Sequence, residues 1–214
     1  MLVFDLVKEW SHVMEKYTVG VIIGSLSKDS INRKLARALL RLAPSELEFR
    51  EIRIDALPLY NHDLDENFPR AAREFKQDMD EVDAVLIVTP EYNRSIPGAL
   101  KNAIDWSSRP REHKSFEHKP TAMIGASSGA LGTVVAQQHL RAMLSFLNTP
   151  VMTFPEGYIQ MKPGLVTDDG DVTVETTLEF LRMYMNEFYK FIDREVRSFQ
   201  PQQEVMIESM EEKA

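Results

Sequence analysis

A chain of 214 residues, 43% hydrophobic and 27% charged, has the length and composition of one ordinary globular domain with a substantial core. Its net charge of −8 argues against general nucleic-acid binding, because an acidic surface repels a phosphate backbone. With no cysteine, disulfides, thiolate metal ligands and thiol redox chemistry are excluded, so any electron transfer needs a bound cofactor.

Leu2, Leu6, Trp10 and Val13 recur at roughly helical spacing and predict an amphipathic helix over residues 2–16. Asp5, Lys8 and Glu9 interrupt that opening, which lacks the features of a signal peptide. No stretch approaches the roughly 18 apolar residues of a membrane span, so the expectation is a cytoplasmic protein without a membrane partner. The near-continuous run Tyr17–Gly24 predicts a strand covered on both faces, as in a parallel sheet. Asp29 or Ser30 then caps a helix that buries Leu35, Ala38, Leu39 and Leu42, turns Arg33, Lys34, Arg37 and Arg41 to solvent, and stops before Pro44. Further along, Leu47–Ile54 predicts a strand, Arg70–Met79 a helix, Asp83–Thr89 a strand and Pro97–Trp106 a helix, with Pro in the first turn. Thr121–Ala126 predicts a fourth strand, Leu131–Leu147 a helix, Val151–Phe154 a short fifth strand and Val174–Val196 a last helix. Strands alternating with helices in this way give an α/β fold, a doubly wound parallel sheet with helices on both faces. The expected organisation is an N-terminal extension over residues 1–17, one domain over 18–198 and an acidic, frayed tail over 199–214.

In such a sheet, ligands bind at the carboxyl ends of the strands, so the loops after strands one, three and four carry the chemistry. After strand one, Ser25, Ser27, Ser30 and Asn32 cluster where a helix begins, and free backbone N–H groups and the helix dipole favour an anion there. The dinucleotide pattern G-x-G-x-x-G and the P-loop are both absent, and these neutral donors suit a phosphate monoester. Simple helix capping would need only one of them. After strand three, Pro90-Glu91-Tyr92-Asn93 offers an apolar surface edged with polar groups, suited to a planar heterocycle. After strand four, Gly125-Ala126-Ser127-Ser128-Gly129 lets a ligand approach the backbone. The same segment matches the nucleophile elbow G-x-S-x-G, but no acid lies between Ser127 and the last histidine, His139, so the hydrolase order fails.

Together, Gly24-Ser25…Ser30-Ile31-Asn32, the segment Thr89–Trp106 with its Pro-Glu-Tyr-Asn core, and Gly125–Gly129 resemble the NADPH-dependent FMN reductase family, over roughly residues 18–195. The resemblance implies a flavodoxin-like fold of strand order 2-1-3-4-5. It also implies FMN as cofactor, NADPH or NADH as co-substrate, and a small acceptor such as a quinone, azo compound, metal oxyanion or free flavin. Ser25, Ser30 and Asn32 would hold the phosphate, with Ser27 in the same loop. Pro90, Glu91, Tyr92 and Asn93 would border the isoalloxazine, and Ser127 and Gly129 its far edge. Many relatives carry Arg where this chain has Ser27, a departure that weakens phosphate binding or is partly offset by Lys28. The resemblance further implies a homodimer or homotetramer, with the loop around His62 approaching a partner subunit, although His62 reads equally well as a solvated loop histidine. The rival reading is a flavodoxin-like electron carrier with no NADPH oxidation of its own.

Hydride transfer through a flavin requires no side-chain acid or base, so no catalytic residue is assigned. Arg94, Arg109 and Arg111 are candidates for the 2′-phosphate of NADPH, or else exposed charges on mobile loops. His113 and His118 lack the accompanying ligands of a metal site, and none is expected. Trp106 is expected as a core or interface anchor.

Overall fold

The computed structural model describes residues 15–211, with side chains as far as Phe199. The helix expected over residues 2–16 therefore lies, as far as residue 14, outside the described residues. Five parallel strands form one sheet in the order β2-β1-β3-β4-β5. They are β1 (Tyr17–Ile23), β2 (Leu47–Glu51), β3 (Ala84–Val88), β4 (Thr121–Ser127) and β5 (Gly157–Gln160). The helices between them are α1 (Ile31–Leu42), α2 (Arg70–Asp80), α3 (Gly98–Ser107), α4 (Val134–Phe146) and α5 (Glu175–Glu211).

The continuous apolar strands follow from this layering. Successive strand residues point to opposite faces, and both faces are covered. Val19, Val21 and Ile23 of β1 share one face with Leu86 and Val88 of β3 and meet α1 and α5. Ile22, Val85 and Ile87 point the other way, into a core built with α2, α3 and α4. Every residue of β3 is fully buried, so the central strand is the rigid base from which the next loop emerges.

Several boundaries differ from the sequence expectation. Strand β2 stops at Glu51, although Ile52 and Ile54 remain buried in the second core. The fifth strand is Gly157–Gln160 rather than Val151–Phe154. Val151 makes a single bridge to Thr121, Phe154 is exposed, and Pro155 has no N–H to donate to a ladder. Gly157 fits beside β4 because it lacks a side chain: a Cβ there would lie 2.4 Å from Ile124 Cγ1. Helix α5 carries its backbone to Glu211, through residues 199–211, which composition assigned to a frayed tail. The basic residues of α1 are also partnered rather than merely solvated. Arg33 pairs with Glu51 at 2.9 Å, Arg41 with Asp171 at 2.9 Å, and Lys34 with Asp168 at 2.5 Å.

Candidate functional site

The loops after β1, β3 and β4 converge on one groove of about 280 Å3, lined by residues that include Ser25, Ser27, Ser30, Asn32, Glu91, Tyr92 and Ser127. In the first loop Ser25 and Ser30 are buried, at 4% and 5% exposure. Ser30, not Asp29, caps α1: its Oγ accepts from Arg33 N at 3.3 Å. Ser25 Oγ accepts from Ser27 N, also at 3.3 Å. Each hydroxyl thus uses a lone pair on the backbone, and neither donates its O–H to any of the described residues. The N–H groups of Ile31 and Asn32 lie in the first helical turn and have no carbonyl four residues back to bond. Buried donors and a helix N-terminus together favour an anionic ligand.

Asn32 is 1% exposed, and its side chain works at a distance. Nδ2 donates to Ala126 O at 2.9 Å, and Oδ1 accepts from Ala126 N at 2.8 Å. The amide therefore bolts the start of α1 to β4. Ser27, Lys28 and Asp29 are exposed; Ser27 and the acidic Asp29 line the groove, whereas Lys28 does not.

The loop after β3 is built differently. Tyr92 and Ser95 exchange two backbone hydrogen bonds, of 2.9 and 3.0 Å, around Asn93 and Arg94. Those two residues have φ of 51° and 63°, as a type I′ turn requires. Each non-glycine residue in this left-handed region costs about 1 kcal/mol or more, so the turn is held under strain. Its effect is to present Tyr92 at 49% exposure beside the groove. The Glu91 carboxylate turns away to α4, where Oε2 accepts from Val135 N and Ala136 N, both at 3.0 Å.

In the third loop, Ser127 Oγ accepts from Gly129 N at 3.2 Å, and a Cβ on Gly129 would meet only that oxygen, at 3.6 Å. Gly125 is small for another reason than ligand approach: a Cβ there would lie 2.1 Å from Thr89 O and 2.4 Å from Thr133 Oγ1. Thr89, fully buried at the end of β3, also leaves no room for a Cβ on Gly24, whose position lies 2.6 Å from its Oγ1. Thr89 is thus the wedge between the first and third loops, a role the sequence signals only through the paired glycines. Each loop also carries one exposed large apolar residue: Leu26 at 55%, Tyr92 at 49% and Leu131 at 57%. Buried hydroxyl donors at a helix start, beside an exposed aromatic, fit a phosphorylated planar cofactor such as FMN.

Of the other candidates, all but Arg94 lie apart from the groove. Arg109 donates to Tyr60 Oη at 2.8 Å and lies 3.7 Å from Asp65, which also lies 3.9 Å from His62. His113 faces Asp80 at 3.3 Å, whereas His118 packs on the ring of Phe199, so the two histidines serve different neighbourhoods. Arg94 lies near the groove, 3.8 Å from Glu91. Arg111 is exposed. Trp106 is fully buried, donates to Pro58 O at 2.8 Å and packs edge-on against Tyr60 and Phe68, as a core anchor does.

Residues 17–162 match the NADPH-dependent FMN reductase family. Over 179 residues the chain is 45% identical to a 2-hydroxy-1,4-benzoquinone reductase of Burkholderia sp, an alignment covering 83% of this chain and 98% of that protein. It is 40% identical over 186 residues to a quinone reductase of Escherichia coli strain K12, covering 84% of this chain and 97% of the relative. Among solved structures, the flavoenzyme NAD(P)H:(acceptor) oxidoreductase FerB from Paracoccus denitrificans superposes with a TM-score of 0.81 at 44% identity, across 84% of this chain and 98% of its own. A WrbA-like flavodoxin from Agrobacterium tumefaciens, 19% identical with a TM-score of 0.56, shares the fold.

Proposed function

The chain belongs to the NADPH-dependent FMN reductase family and is an FMN-dependent NAD(P)H oxidoreductase; from that premise we propose that its acceptor is a quinone, reduced at the groove formed by the three loops. The observation that carries the choice of acceptor is 45% identity to a benzoquinone reductase across 98% of that relative's length. The exposed apolar residues on all three loops support it, since a small planar acceptor gains affinity by covering such surface.

When bound, FMN accepts hydride from the nicotinamide and delivers electrons to the acceptor. The protein's own groups bind and orient. Ser25 and Ser30 would donate O–H hydrogen bonds to the FMN phosphate, assisted by the N–H groups of Ile31 and Asn32. The Asn32 side chain fixes the start of α1 against β4, so that these donors are preorganised. Pro90, Tyr92 and Asn93 border the ring, with Glu91 holding their turn in place, and Ser127 and Gly129 leave space at its far edge. Ser27 stays exposed on the groove lining, and the exposed Lys28 beside it supplies a positive charge in the first loop. No proton transfer by a side chain is needed.

The reading extends to a cytoplasmic protein, where reduced nicotinamides are available. Among the described residues no helix is long and apolar enough to cross a membrane. It extends also to a homodimer or homotetramer, in which a second copy covers exposed apolar residues such as Phe146, exposed at 84% on α4. Light scattering on the purified protein measures that state directly. The decisive assay is steady-state oxidation of NADPH and NADH by the FMN-loaded protein with a panel of benzoquinones. Turnover that depends on the quinone is expected. A protein that binds FMN yet leaves both nicotinamides untouched is an electron carrier instead.

A further inference from the structure

Helix α4 opens on Thr133, whose side chain makes no capping bond to the helix. Its first-turn N–H groups are served instead by a carboxylate 44 residues earlier in the chain: Glu91 Oε2 accepts from Val135 N and Ala136 N, each at 3.0 Å. The Glu91 side chain is only 10% exposed, and the cation paired with it, Arg94, lies 3.8 Å away with its own side chain 68% exposed. That cation is largely solvated and screens Glu91 weakly. Glu91 also lines the groove, next to Pro90 and Tyr92. It therefore does two things at once. It ties the strained turn after β3 to the element that follows β4, and it places a negative charge on the positive end of α4 beside the ligand site.

We propose that Glu91 is a positioning residue, which holds the flavin-bordering turn in register with α4 and keeps the midpoint potential of the bound flavin low. The inference rests on the flavin reading above. Two steps lead to the potential. Reducing the flavin adds negative charge to the ring system, and a fixed, largely buried carboxylate on the groove lining disfavours that addition.

Two substitutions separate charge from reach. Glu91→Gln keeps the length and an accepting oxygen but removes the charge. Glu91→Asp keeps the charge but is too short to span the same contact. In the FMN-loaded full chain, E91Q is expected to shift the flavin midpoint potential to more positive values, with FMN affinity within about threefold of the parent. E91D is expected to leave the potential close to the parent while raising the FMN Kd about tenfold. A folded E91Q with an unchanged potential overturns the proposal, and so does an E91D that binds FMN as tightly as the parent. If E91Q does not fold, the E91D titration decides alone. The unsubstituted chain titrated alongside keeps the two readings apart: failure of that chain to bind FMN strikes the flavin assignment, not the role of Glu91.

Discussion

The loop after β1 and the turn after β3 face one groove but are built on opposite terms. The first hides its chemistry: Ser25 and Ser30 are almost fully buried, and each keeps an O–H to donate. The second displays it: a two-residue turn with φ of 51° and 63° at its centre pushes Tyr92 to 49% exposure, while the acidic group beside it is drawn back onto α4. Buried, preorganised donors select one ligand group, because an unmatched buried polar group is costly. An exposed aromatic on a strained turn covers flat surface of many kinds. On the proposed reading, the first region grips the phosphate of the cofactor that stays, while the second borders its ring on the side where substrates come and go.

The largest effect is expected in the first region. Ser25→Ala combined with Ser30→Ala removes two bonds to a charged group, each worth about 1.5–3 kcal/mol, so the FMN Kd should rise at least about 100-fold. Riboflavin, which has no phosphate, should bind as before in a fluorescence-quenching titration. A similar loss for both ligands would mean that the serines only shape the loop. Tyr92→Ala should act the other way round, raising KM for a benzoquinone about tenfold while FMN affinity stays within about threefold. If FMN binding falls as far as quinone KM rises, the division between the two regions breaks down. Ser27→Arg adds a cation at the mouth of the first loop, next to exposed Lys28, and should tighten FMN about three- to tenfold at low salt. That gain should shrink at high ionic strength, because the position is exposed. The smallest effect concerns the strain itself. Arg94→Gly relieves one left-handed residue and gives up only a weak, exposed ion pair, for a gain of up to about 1 kcal/mol and a Tm higher by roughly 2–4 °C. A lower Tm would show that Arg94 contributes more to the turn than its geometry suggests.

The same contrast explains what was legible in the sequence. The alternation of strands and helices, the buried central strand and a cap at Asp29 or Ser30 follow from local pattern, because apolar runs, turn residues and caps act over a few positions, whereas the strand order is implied only by the family resemblance. The convergence of the three loops follows from the rule for open parallel sheets. The roles of Asn32 and Glu91 were hidden, since their partners lie 94 and 44 residues away and no local spacing announces them. Asn32 reads as a phosphate ligand by residue type, yet its amide is engaged with Ala126. The turn at Asn93-Arg94 was missed as a hairpin because it lacks the glycine that normally marks type I′. The fifth strand was misplaced because Val151 looks more strand-like than Gly157, whereas packing against Ile124 favours the residue without a side chain.

The central claim is that the buried serines of the first loop recognise the phosphate of FMN. Titrating the flavin-free full chain with FMN and with riboflavin, in parallel and at one ionic strength, tests it most directly. The expected result is FMN binding tighter by at least about 100-fold, a difference near 2.7 kcal/mol, that collapses in the double Ser25→Ala, Ser30→Ala variant. Equal affinity for the two flavins in the unsubstituted chain would contradict the account.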